Sequence, residues 1–152
     1  MIRRACLFAL WLTLSACSPA PATVTTDANQ PQPPLPTTQI QIAGHTLQVE
    51  VADTDAERRA GLSYRTELAS NSGMLFVYRE DTPLHFTMRE TRIPLSIAFA
   101  DADGLIYSIL QMIPRSNQVY SAGRPGRYAL EVTQGWFREH NVNIGDRITP
   151  LP

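Results

Sequence analysis

The sequence predicts a small, mainly β domain with two short helices, set behind an export signal and a proline-rich tether. Three observations predict it. Apolar and polar residues alternate in short runs bounded by Gly, Asn, Asp and Pro, the pattern of half-buried strands. Helix signals are confined to two brief stretches near Asp55 and Trp136. The first 36 residues differ in composition from the rest, apolar at the start and then rich in Pro. The chain has 152 residues, and that length buries one core rather than two. Its formal net charge is −1, so no broad attraction to nucleic acid is expected and none is assigned as a partner. All 13 basic residues are Arg, which excludes Schiff-base chemistry and a phosphate-loop lysine.

Residues 1–16 read as a signal peptide. Arg3 and Arg4 precede the apolar run Ala5 to Leu14, which is too short for the roughly 20 helical residues that cross a bilayer. The run ends in Leu14-Ser15-Ala16-Cys17, which resembles the lipobox of bacterial lipoproteins. Cys17 is then the expected lipidation site, and the membrane is a partner through two or more acyl chains, enough for stable anchoring. By the same resemblance Ser18 favours the outer membrane, with the domain in the periplasm or at the surface. The mature chain would carry 11 Arg against 14 carboxylates, a net charge of −3. Cys6 leaves with the signal and Cys17 goes to lipid, so a disulfide, a Cys nucleophile and a thiolate zinc site are excluded. Residues 17–36 hold the lipidated Cys and a linker whose Pro-rich composition is expected to stay disordered.

Residues 37–152 are the predicted domain. Ile40 and Ile42, then Leu47, Val49 and Val51, alternate about Ala43-Gly44-His45 as a hairpin. Thr54-Asp55-Ala56-Glu57 has capping-box form and opens a helix over about 55–62. Strands are expected at Met74 to Tyr78, Leu84 to Met88, Leu95 to Ala100, Leu105 to Met112 and Arg127 to Val132. A short helix is expected at Trp136 to His140, with a last strand after Gly145-Asp146. Asp101-Ala102-Asp103-Gly104 is a hairpin turn rather than a calcium loop, because Met112 stands where the bidentate Glu would be. At least seven strands with two small helices predict an antiparallel sandwich or barrel.

Gly61-Leu62-Ser63-Tyr64-Arg65, Gly73-Met74-Leu75-Phe76 and Phe86-Thr87-Met88-Arg89-Glu90-Thr91 follow one another in an order that resembles the DUF192 family. The likeness continues through Ile93-Pro94-Leu95-Ser96-Ile97, Asp103-Gly104, Tyr128-Ala129-Leu130-Glu131-Val132 and Gly145-Asp146. It implies a compact, jelly-roll-like β domain and no assigned activity. The chain departs from the family pattern at Thr87, Arg89 and Glu90, where Trp, Lys and Asn are usual, and at Ser96, where Asp is usual.

Candidate chemistry is sparse. His45, His85 and His140 are scattered without metal-ligand spacing, so no metal and no cofactor are expected. Glu131 interrupts an apolar strand, and a carboxylate there either points outward or needs an Arg, for which Arg89 is the candidate. The stretch Phe86 to Pro94, which includes Thr91, sets Met88, Arg89 and Glu90 beside strand residues just before a Pro. Met88, Arg89, Thr91 and Glu131 are therefore the expected ligand-binding set. The reading is an envelope lipoprotein whose β domain binds a small ligand, a glycan or an envelope protein without catalysis. The alternative is a small periplasmic enzyme acting on an envelope polymer through carboxylates such as Glu131 and Asp101.

Overall fold

The computed structural model describes residues 29–152. The expected signal peptide, Cys17 and most of the expected tether lie outside the described residues. The chain forms β1 (Thr37–Ile42), β2 (His45–Ala52), α1 (Asp55–Ala60), β3 (Ser72–Pro83), β4 (Leu95–Ala100), β5 (Ile106–Met112), β6 (Pro125–Thr133) and α2 (Trp136–Glu139). The mainly β class with two short helices is therefore the architecture. No helix among the described residues is long and apolar enough to cross a membrane.

The strands make one six-stranded sheet in the order β1-β2-β3-β6-β4-β5. It is open rather than a closed barrel, and it is mixed rather than wholly antiparallel. The parallel pair is β2 with β3, whose register runs from Gln48↔Ser72 to Ala52↔Phe76. Its cause is α1: the capping-box helix and the loop after it make the long crossover that parallel neighbours require. At one end the C-terminal segment spans the two sheet edges, through bridges Gln41↔Thr149 and Leu105↔Arg147. That segment was expected as a strand, and it contributes bridges rather than a ladder.

The expected strand Leu84 to Met88 is also absent. Its alternation is real, with Leu84, Phe86 and Met88 buried and His85 and Thr87 exposed. It forms a single bridge, Phe86↔Tyr120, because it lies across the sheet face instead of within the sheet. The topology forces this. β3 and β4 both pair antiparallel with β6 and flank it, so the chain between them must pass over β6.

Each sheet face carries its own core. One gathers Leu75, Ala98, Leu130, Val132, Trp136, Phe137 and Ile148. The other gathers Leu62, Met74, Phe76, Phe86, Met88, Ile97, Phe99 and Ala129. The end of the Pro-rich segment packs against this second core. Leu35 is half-buried on it, its N–H donates to Glu50 at 2.8 Å, and the Gln32 amide donates to the Gly61 carbonyl at 2.8 Å. Residues 32–36 thus touch the domain that was expected to begin at residue 37.

Candidate functional site

The site begins with one residue out of place. β6 is a central strand, and period-two alternation sends Leu130 and Val132 to one face and Ala129 and Glu131 to the other. Glu131 is paired in register with Met74 on β3 and Ile97 on β4, so apolar side chains flank it on both sides. It is 5% exposed and is the one charged residue buried among the described residues. Its carboxyl makes no hydrogen bond and no ion pair among them. No side-chain oxygen or nitrogen among them is sealed away without a partner, so this carboxyl must open onto space.

That space is a cleft of about 570 Å³ with Glu131 in its lining. Its walls are α1 with the turn that ends it, and the crossover 84–93. The crossover is anchored through Phe86, whose ring meets Phe76 edge-on at 4.9 Å and Phe99 at 5.8 Å. Ala129 stands between those two in the sheet register and keeps the row low enough for Phe86 to settle there. The helix wall ends at Gly61, whose φ of +49° suits glycine and whose N–H caps the Glu57 carbonyl. Walls and crossover are tied by the Tyr64 N–H, which donates to the Glu90 carbonyl at 2.8 Å.

Burial pushes the Glu131 carboxyl up to about 8, with no neighbouring cation to offset it. At neutral pH it therefore holds its proton and offers both an O–H donor and an acceptor. Burial also raises the Tyr78 hydroxyl, another lining group. The arginines are committed elsewhere or stand at the mouth. Arg58 pairs with Asp55, donates to the Val77 carbonyl at 2.7 Å, and lies 4.7 Å from the centre of the Tyr78 ring. Arg89 is exposed and donates from Nε to Asn117 Oδ1 at 3.0 Å. A second hollow of about 830 Å³ shares Asp55, Arg58 and Tyr78, and none of its lining residues is buried.

Of the residues expected to bind ligand, Arg89, Thr91 and Glu131 line the cleft. Met88 does not: it is fully buried in the core beneath the crossover. Arg89 and Glu131 share the cavity without forming an ion pair. Asp101 lies apart, its carboxylate accepting from the N–H groups of Asp103 and Leu105 in the β4–β5 turn. The carboxylates that do share the cleft with Glu131 are Asp55 and Glu90. Sequence reasoning passed over Arg59, Tyr78 and His85, which also line it. Phe86 and His85 sit on opposite sides of one alternating run, which was the available signal.

No group of three or more His, Cys, Asp or Glu among the described residues could hold a metal ion. His45 and His140 do meet away from the cleft, ring centres 4.8 Å apart, with His140 stacked on Trp136. Ser96, where the family pattern has Asp, accepts the Gly135 N–H at 3.1 Å at the start of α2.

The family model of DUF192, described as an uncharacterized ACR, matches residues 38–150. No curated protein matches the chain. A Sinorhizobium meliloti 1021 crystal structure, described as a "putative transcription regulator", is 31% identical with a TM-score of 0.74. The match covers 77% of this chain and 95% of that one. A crystal structure of a protein of unknown function from Novosphingobium aromaticivorans DSM 12444 is 28% identical with a TM-score of 0.73. That match covers 89% of this chain and 94% of that one.

Proposed function

The chain belongs to the DUF192 family, and we propose that it is a non-enzymatic binding module of the cell envelope. In this reading Cys17 carries the lipid anchor and the Glu131 cleft holds a small polar ligand. The observation that carries the binding role is the buried, unpartnered carboxyl opening into a walled cavity. A group of that kind costs stability unless something occupies its hydrogen-bonding capacity. A cavity of this size lies in the range of small-molecule sites.

The anchor is supported by the lipobox-like Leu14-Ser15-Ala16-Cys17 behind a positive flank and a short apolar run. The regulator description of one similar structure points toward nucleic acid. Here the net charge of −1 and the absence of Lys weigh against it. α1 and α2, six and four residues long, are also short for reading a groove.

A second reading is supported by one observation: the Glu131 carboxyl, which burial raises to about 8, shares its cleft with Asp55 and Glu90. Carboxyl groups whose environments differ within one cleft are how glycosidases assign acid and base. The test of the main reading is a screen of small polar compounds against the isotopically labelled protein. Amide shifts centred on Arg89, Thr91 and Glu131 are expected, and shifts scattered over the surface would contradict a site there. Turnover of an envelope glycan that disappears in Glu131→Gln would favour the second reading. For the anchor, Cys17→Ser is expected to leave the protein soluble or unprocessed. Unchanged acylation and membrane recovery would remove the anchor assignment.

A further inference from the structure

We propose that the cleft takes a small zwitterion of the amino-acid class, its ammonium on the Glu131 carboxylate and its carboxylate among Arg59 and Arg89. This inference rests on the reading of the cleft as a binding site and names the ligand chemistry. It starts from a carboxyl without a charged partner. Glu131 sits in the cleft lining with no cation paired to it, although three arginines line the same cavity. Arg58 is held by Asp55 and the Val77 carbonyl, and Arg89 turns its Nε to Asn117. A positive partner that ionises Glu131 would therefore come with the ligand. The rings of Phe76, Tyr78 and Phe86 share the lining, and aromatic faces attract an ammonium.

The mouth has the opposite need. Arg59 and Arg89 are exposed in the wall and form no ion pair among the described residues. A guanidinium left in this state is suited to a carboxylate, which it can grip with two parallel hydrogen bonds. The cleft thus presents an acid within and bases outside, the reverse order of charges along an amino acid entering ammonium first. The other charged or titratable groups facing it are Asp55 and Arg58 from α1, Tyr78 from β3, and His85 and Glu90 from the crossover.

Binding an ammonium ionises Glu131, and the displaced proton goes to solvent. Glu131 in the empty cleft holds that proton below about pH 8. Affinity for an ammonium therefore climbs about tenfold per pH unit up to about pH 8, with one proton released per ligand. A ligand that uses the protonated carboxyl as a donor behaves oppositely: its affinity is flat below that point and falls above it.

Three related probes separate the cases: DL-norleucine, its decarboxylated analogue pentylamine with the ammonium alone, and its deaminated analogue hexanoate with the carboxylate alone. Each is titrated into the full-length protein by calorimetry in buffers of different ionisation heat, with amide shifts locating the site. Norleucine is expected to bind tightest, with the rising pH dependence and proton release. A variant carrying both Arg59→Gln and Arg89→Gln should reduce norleucine to the level of pentylamine while leaving pentylamine unchanged. Glu131→Gln should remove the pH dependence. Should that variant not fold, proton release by the unaltered protein still decides. Hexanoate binding tightest, or affinity falling as pH rises, overturns the zwitterion while leaving the cleft as a binding site. Failure of all three probes to shift cleft amides also overturns it, and the broader compound screen then decides the binding role separately.

Discussion

The two faces of β6 carry adjacent residues into opposite environments. Leu130 and Val132 enter a dry core closed by Trp136 and Phe137 from α2, whose backbone start is held by Ser96. Glu131, between them in sequence, enters a face that the crossover 84–93 covers only in part. The sealed face meets Leu130 and Val132 with apolar neighbours. The cleft face leaves a carboxyl with no ion-pair partner among the described residues. The difference lies in what covers each face. A helix directly after β6 seals one, while a loop forced over β6 by the strand order bridges the other and leaves a gap beside α1.

The largest expected effect lies on the sealed face. Leu130→Ala, at a fully buried position, should cost about 3–5 kcal/mol in urea unfolding, because a tightly packed core cannot collapse onto the void. A loss below about 1 kcal/mol would show that this face is as loosely closed as the cleft.

The next effect has the opposite sign. The folded-state value of Glu131 lies above its unfolded value, and for a carboxyl this means the folded state favours the protonated form. Its contribution is therefore neutral below the unfolded value of 4.5, and the domain loses stability as pH rises from there to about 8. Glu131→Gln should then stabilise the domain by about 3–4 kcal/mol near pH 8.5, with little change near pH 4, where acid and amide are both neutral. Loss of stability in that variant at pH 8.5 would point to a hidden partner for the carboxylate.

The same comparison explains what the sequence disclosed. The Tyr128 to Val132 alternation was enough to send Glu131 to one face and Leu130 to the other, because a strand's period is fixed by its backbone. The capping box at Thr54 was equally legible and is present, with Thr54 and Glu57 exchanging hydrogen bonds. The string Gly61 to Arg65 is accounted for locally. Gly61 takes positive φ, Leu62 is buried, and Arg65 pairs with Glu50, whose carboxyl is held below its usual value despite burial by Arg65 and the Leu35 N–H.

Strand order was not legible. Nothing local says that β6 inserts between β3 and β4, so the alternating run Leu84 to Met88 passed for a strand and Arg89 passed for a counter-ion. Met88 was misplaced for the same reason. In a strand its position is indistinguishable from that of a cleft residue, whereas in a crossover it faces down into the core.

A smaller effect belongs to the strap across the cleft face. Removing residues up to Pro36 takes away the two Gln32 hydrogen bonds, the Leu35 contact, the Leu35 N–H donated to Glu50 and the Pro36 carbonyl that accepts the Val51 N–H. A cost of about 1–2 kcal/mol is expected by thermal or chemical unfolding, and no change would return these residues to the tether. Smallest of all, Arg89→Ala should change stability by less than about 0.5 kcal/mol, since the side chain is exposed and carries one surface hydrogen bond. A larger loss would mean that Arg89 reaches the Glu131 carboxylate in solution.

The most direct measurement is the titration of the Glu131 side-chain carboxyl carbon by NMR in the ligand-free protein. The buried, unpaired carboxyl predicts a midpoint of about 8. A midpoint at or below the ordinary value of 4.5 would mean that a cation or a set of donors already satisfies Glu131, and the cleft would lose the feature on which its binding role rests.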